Sequence, residues 1–424
     1  MKSTLVKVIS SPVYMVVVAF LLRIVYTLIT RSYHFAGLWD MFEMANLARS
    51  LAIGHGFSDP YGVATGPSAL TPPVYPWIVS LVFRAFGVFS YASGFVMVTF
   101  NSVFSALTCW TIYRIARRLF NETVAVWSGW LWALSPFAVY YSVDWIWETC
   151  LSAFLLSLLF LLTLEMEGNR RLSSWFAYAV VWGIAALTNT AILAWLPFSG
   201  CWLAYRLHRS GKRFLTPVLF SAAVFWLTLM PWLVRNYVVF GKPVFIRDNF
   251  GNELRVGNNP LSEGWKVGRY EAIGNFGLAP LTRRLGEPTI SAQQGDEARA
   301  WIAQNPQRFL VLCLHRCYFF WANLPVGYEG AQLGLLRQLK NVFFLATSLV
   351  AMAGLILAWK RRVQGVFLFA TLLLFYPLTY YICVPEPRYR HAIEPQLLML
   401  SLYLLVALAT RLRPRHELAE VAVA

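Results

Sequence analysis

Apolar residues recur along this chain in runs of about 20, the length a helix needs to cross a bilayer, with short polar stretches between them. The runs predict ten spans, at about 12–31, 89–112, 123–141, 147–165, 174–190, 191–206, 215–234, 338–359, 364–384 and 392–410. The long intervals fall after the first span (32–88) and after the seventh (235–337). Segment 308–324 is short and carries Arg308, His315 and Arg316 among aromatics, so it predicts an interfacial or partly inserted helix. Segment 73–87 reads the same way, with Pro72, Pro73 and Pro76 interrupting its start. The pattern is that of an all-α polytopic membrane protein. Residues 1–411 form one transmembrane domain and 412–424 a cytoplasmic tail.

Composition agrees: of 424 residues, 58% are hydrophobic and only 13% charged, about half the charge of a soluble domain. Lys2 and Lys7 precede the first run and no small-residue cleavage site closes it, so it reads as an uncleaved signal anchor. The net charge of +16 raises the question of nucleic acid, but its distribution answers it. Arg114, Arg117 and Arg118, then Arg170 and Arg171, then Arg206, Arg209, Lys212 and Arg213 cluster between apolar runs. Lys360, Arg361 and Arg362, and finally Arg411, Arg413 and Arg415, do the same. That is the positive-inside pattern; it sets both termini in the cytoplasm and leaves anionic lipid, not nucleic acid, as the partner of these clusters. Cys109, Cys150, Cys201, Cys313, Cys317 and Cys383 lie in or beside apolar segments without metal-ligand spacing, and read as packing residues.

The parity of the spans gathers the chemistry-bearing residues on the outer side. Asp40 and Glu43, in "LWDMFEMANLARSLAIGHGF", sit at i,i+3, so on a helix both carboxylates face one way. The same spacing is a capping-box pattern, with Gly54 as a helix stop. In "YYSVDWIWETC", Asp144 suits a helix cap or a supporting role, while Glu148 lies a turn deeper, where a carboxylate faces a cavity. In "CVPEPRYRHAIEP", Pro385 and Pro387 predict an extended segment in which Arg388 and Arg390 project to the same side and grip a phosphate. The alternative there is an interfacial anchor, or a salt bridge to Glu386 or Glu394. Tyr389 and His391, between and beside them, could support an acceptor. Arg235, at the outer end of span seven, either binds a headgroup or orients its helix. Arg23, inside span one, pairs with an acid or a carbonyl in the bundle. His55, His315 and His391 could join acids around a divalent metal, although no local ligand motif supports one.

Taken in order and spacing, these pieces resemble the polyprenyl-phosphate-sugar-dependent glycosyltransferases of the GT-C superfamily, in particular the bacterial branch of glycosyltransferase family 39, related to protein O-mannosyltransferases and lipid A aminoarabinose transferases. The resemblance rests on the first-loop acids with "LARSLAIGHGF" and "PSALTPPVYPWIVSLVFRAFG", on "SVDWIWE", on "PWLVRNYVVFGKPVFIRDNFG…GNN", on "ARAWIAQNPQRFL…FFW" and on "RYRHAIEP". It implies a GT-C type helical bundle with outer-face interfacial helices. It also implies that Asp40 is the catalytic base, that Glu148 is the second-loop acid, and that Arg388 and Arg390 hold the lipid phosphate. Met41 stands where the eukaryotic enzymes place a second acid, and Met44 where bacterial ones often carry an aromatic. These departures bear on the acceptor, which could be lipid, polysaccharide or protein.

The resemblance further implies an inverting single displacement at the outer face of the plasma (inner) membrane. A sugar, hexosyl or pentosyl, would pass from a polyprenyl-monophosphate donor to an acceptor hydroxyl, with Glu148 orienting the acceptor or sharing a metal. No organic cofactor is implied. A lipid-linked glycan flippase is a rival, but transporters gather polar groups at the midplane and this chain gathers them at span ends. An outer-face glycan polymerase or ligase is a second rival, against which the first-loop acid pair speaks.

Overall fold

A computed structural model describes residues 9–34, 43–169, 171–211, 215–264, 279–323 and 334–412. Asp40 and the tail beyond Leu412 lie outside the described residues. The described residues are helical nearly throughout. In order, the helices are α1 (Pro12–Thr30), α2 (Glu43–Ala52), α3 (Val74–Phe86), α4 (Tyr91–Leu119), α5 (Glu122–Leu134), α6 (Pro136–Val143), α7 (Thr149–Met166), α8 (Leu172–Ala186), α9 (Leu196–Arg209) and α10 (Leu215–Phe240). They continue with α11 (Phe250–Gly257), α12 (Ala279–Leu285), α13 (Glu287–Gln304), α14 (Pro306–Ala322), α15 (Gly334–Lys360), α16 (Val366–Phe375), α17 (Leu378–Ile382), α18 (Pro387–His391) and α19 (Glu394–Leu412). Among the described residues, five are long and apolar enough to cross a membrane: α1, α4, α7, α10 and α15 from Gln338 onward.

Three predicted spans are broken, each beside a proline: the run 191–206 opens as a 3-10 segment, Thr190–Trp195, and α9 starts only at Leu196, ahead of Pro197. The run 123–141 divides at Ser135, whose backbone is extended (ψ 122) because Pro136 follows, so α5 stops and α6 starts afresh. The run 364–384 divides at Tyr376 and Pro377, between α16 and α17. Segment 308–324 is the helix α14, as expected, and packs on α15 and α17. The 73–87 segment is α3, which packs on α2 and α4.

Helix α4 is central, flanked by α1, α5, α6 and α7. Arg23 of α1 is fully buried in that bundle, donating from Nε to Ser105 Oγ at 3.1 Å and from a terminal nitrogen to the carbonyls of Ala19 and Ala133 at 2.8 and 3.1 Å. It is the carbonyl-paired structural arginine that the sequence suggested. Helices α15 and α19 cross so closely that a Cβ on Gly354 would stand 2.1 Å from the Leu400 carbonyl oxygen. Small residues at such crossings let backbones approach where no hydrophobic force separates protein from lipid.

Residues 55–71, between α2 and α3, are folded, not slack. Asp59 accepts from the Thr65 and Gly66 amides at 2.8 Å, and Ser58 bridges Pro67. Strand-like residues 68–70 are then clamped by the segment after α10. Arg235 donates to the carbonyls of Ser68 (2.7 Å) and Phe57 (2.8 Å), Arg247 to that of Leu70 (3.2 Å), and the Asp248 amide to that of Ala69 (3.1 Å). Glu287, at the start of α13, accepts from the Ala69 amide at 2.7 Å. The described parts of the two long interhelical regions are therefore one cap.

Candidate functional site

Four polypeptide breaks meet under that cap. Glu148 caps α7; Asn189 follows α8; Tyr376 stands at the proline break before α17; Arg388 and Tyr389 begin α18. Their side chains, with Thr149, Ser152 and Ala392, line one enclosed pocket of about 10 Å³, room for a single water. Tyr376 donates its hydroxyl to the Tyr389 carbonyl at 3.0 Å, and the Tyr380 and Tyr389 rings stack at 4.4 Å. Tyr376, at the proline break, and Tyr389, on α18, form the aromatic wall of the site.

Arg388 is held on two sides. Its Nε lies 2.8 Å from Glu386 Oε2, and its guanidinium sits over the Trp147 ring at 4.2 Å. Burial alone would lower its pKa, but the Glu386 carboxylate outweighs it, so the pKa is raised and Arg388 is a fixed cation. Glu148 is the opposite case. Burial pushes its carboxyl up to about 7, against the pull of Arg388 and, more weakly, Arg247. Its Oε2 is buried without a hydrogen-bond partner among the described residues. An acceptor oxygen with nothing to accept, beside a fixed cation, marks a polar site rather than a packing void.

Arg390 departs from expectation. The 387–391 segment is helical, not extended, because proline suits the first position of a helix and Glu386 supplies the extended residue before it (φ −124, ψ 148). On a helix, residues two apart point away from each other. Arg390 is buried, pairing with Glu394 at 2.9 Å and donating to the carbonyls of Trp321 (2.8 Å) and Phe344 (2.9 Å) and to Thr347 Oγ1 (2.7 Å). It ties α14, α15 and α19 together and has no place in the pocket. The second guanidinium within electrostatic reach of Glu148 is Arg247, which sequence reasoning did not select. "FIRDNF", an arginine in the polar segment after α10, was the available signal.

The other expected residues divide similarly. Arg235 stacks over Trp232 at 4.8 Å and clamps the first loop through the Ser68 carbonyl. His391 is packed between Trp132 (5.0 Å) and Tyr141 (4.7 Å), and burial followed by the Arg23 charge drives its pKa down to about 3. It is a neutral core imidazole. Asp144 is half-buried at the C-terminal end of α6, its pKa raised by burial. Glu43 opens α2, half-buried, next to the undescribed Asp40. Among the described residues no three His, Cys, Asp or Glu side chains gather as a metal site.

The described residues thus form a helical bundle with a carboxyl–guanidinium pocket beneath a folded cap. Residues 71–234 match the family model of the dolichyl-phosphate-mannose-protein mannosyltransferases. The fold is similar to that of the Archaeoglobus fulgidus oligosaccharyltransferase. Against the apo form the TM-score is 0.56 at 14% identity, covering 97% of this chain and 52% of that one. Against its complex with Zn and sulfate the TM-score is 0.50 at 14% identity, over 87% and 45%. ArnT from Cupriavidus metallidurans, bound to undecaprenyl phosphate, aligns with a TM-score of 0.40 at 12% identity, covering 91% of this chain and 77% of that one. No curated protein matches the sequence. This chain spans about half the length of the archaeal oligosaccharyltransferase.

Proposed function

We propose that this protein transfers a sugar from a polyprenyl-monophosphate donor to an acceptor hydroxyl at the outer face of the plasma membrane, with inversion. The observation that carries the reading is the pocket in which Arg388, braced by Glu386 and Trp147, faces the partnerless oxygen of Glu148. Arg388 holds the donor phosphate, and Arg247 adds charge from the cap. The Asp40 carboxylate takes the proton from the acceptor hydroxyl, whose oxygen attacks the anomeric carbon. The bond from that carbon to the phosphate oxygen breaks, and the electron pair leaves with the polyprenyl phosphate. Fixed guanidiniums stabilise the charge that builds there, which is where electrostatic catalysis contributes most. Glu148 orients the acceptor, accepting a hydrogen bond when ionised and donating one when protonated.

The pocket holds only one water's volume, so it must widen to admit a phosphate. Supporting the assignment are the GT-C fold and the mannosyltransferase family match. The archaeal relative was crystallised with Zn and sulfate; a divalent ion here would need Asp40 beside Glu148, and no step above passes through one. The acceptor belongs to lipid, polysaccharide or protein. The test is transfer by the purified protein from synthetic polyprenyl-phosphate sugars, with Asp40→Asn alongside. Sugar release from no such donor sinks the proposal, and wild-type turnover by Asp40→Asn removes that residue from the mechanism.

A further inference from the structure

Seventeen residues beyond Glu148 along α7 lies Glu165, roughly 25 Å away at the helix's 1.5 Å rise per residue, at the other end of the bundle. There Arg114, Arg117 and Arg118 of α4 line a cleft of about 320 Å³ with Leu161 and Glu165 of α7. The cleft is far larger than the Glu148 pocket, and its chemistry differs: three guanidiniums, one carboxylate and an apolar floor.

The ion pairs around it leave positive charge unanswered. Arg114 reaches Glu165 at 2.9 Å and Arg117 reaches Glu122 at 2.9 Å, each through one nitrogen of a group with five N–H donors. Arg118 stands 3.9 Å from Glu167, because Glu167 is already held by Arg206, through Nε at 2.6 Å, and by Gln364 at 2.7 Å. Four arginines thus share three carboxylates. The basic loop after α15 adds to the excess. Gly365 packs on Leu119 and Leu164, and Arg361 lies over Tyr403, which stacks on Phe120 just past α4. The three lining arginines are 46%, 61% and 39% exposed, so their heads face outward while their stems run along the bundle. Trp110 and Tyr113 lie a turn below, under Arg114 at 5.4 Å and Arg117 at 5.9 Å, as aromatics do at a headgroup boundary.

We propose that this cleft binds the phosphate headgroup of an anionic membrane phospholipid, at the end of the bundle opposite the Glu148–Arg388 pocket. The forked donors of Arg117 and Arg118 take the phosphate oxygens, Leu161 and the α4 and α7 stems meet the upper acyl chain, and Glu165 competes with the lipid for Arg114.

The experiment uses the full-length protein in nanodiscs of equal phosphatidylglycerol and phosphatidylcholine, with retained lipid read by native mass spectrometry. Wild type is expected to keep one phosphatidylglycerol per chain in about tenfold preference. Arg117→Gln with Arg118→Gln should abolish the preference, and Glu165→Gln, which frees Arg114, should increase it. A misfolded variant loses lipid but cannot gain it, so the glutamate change keeps the test decisive. Equal retention of the two lipids by wild type, or a preference unmoved by both sets of substitutions, overturns the site. Displacement of the lipid by 10 mM inorganic phosphate (a concentration set about where a free anion competes) reassigns it to a soluble phosphate and overturns the lipid reading.

Discussion

On a helix, a step of two residues turns a side chain through roughly 200°, and α18 uses that step to separate two arginines. Arg388 goes to the pocket and Arg390 to the scaffold, so their alanine variants should fail differently. Arg388→Ala is expected to lower kcat/KM for the lipid-phosphate donor by about 10²-fold with the melting temperature little changed. Arg390→Ala leaves Glu394 buried without its partner and should cost about 3–5 kcal/mol of stability, read as loss of monodisperse protein on purification. Unchanged donor kinetics for the first, or normal thermal stability for the second, would reverse these roles. Glu148 carries a pH signature. Its folded pKa, about 7, lies above the ordinary 4.5, so the native state binds the extra proton between those values. Stability is full below pH 4.5 and falls as pH rises towards 7 and the buried carboxyl ionises. Glu148→Gln should therefore melt like wild type in acid and above it at pH 8, by at most about 3 kcal/mol. A gap that does not widen with pH means the carboxyl is solvated.

Between elements, the contact that matters most is the cap against the first loop. Burial and the neighbouring Asp248 charge hold Glu287 well above the carboxylate range, and Asp248 is itself raised by burial. The two side chains hydrogen-bond each other, which fits two carboxyls sharing a proton. Glu287→Gln keeps the acceptor for the Ala69 amide and should leave the loop protected. Glu287→Leu strands that amide, at about 1–3 kcal/mol, and should speed hydrogen exchange across residues 68–71. Equal exchange in the two variants would show that the cap is held elsewhere. The crossing of α15 and α19 makes a similar demand. Any side chain on Gly354 meets the Leu400 carbonyl, so Gly354→Val should separate the helices and reduce folded yield, whereas the same change at Gly200, where nothing lies within 4 Å, should not.

For the whole molecule, the arrangement is a bundle with a pocket at one end, a folded cap over it and a basic cleft at the other end. Glycan mass spectrometry of cells with and without the gene, complemented by wild type or Asp40→Asn, should show one class of sugar modification that needs the carboxylate. Complementation by the asparagine variant would move the chemistry elsewhere. The membrane class, the helical architecture, the positions of most helices and the basic ends were legible in the sequence, since span length and charge distribution answer to the bilayer alone. Glu148 was legible too, because a carboxylate at that depth is costly unless it faces something polar. Its partners were not. That Arg247 approaches the pocket while Arg235 clamps a loop depends on how residues 57–70 fold against 235–290, and no local pattern encodes that packing. The fate of Arg388 and Arg390 turned on whether a proline-flanked segment of five residues is extended or helical. Proline permits both, and the carbonyls of Trp321 and Phe344 that receive Arg390 come from helices far away in the chain. The sequence by itself determined where the chain meets lipid and water; which charged groups meet one another was decided only when the helices packed, because a guanidinium is committed by the acceptors that tertiary contacts bring within reach.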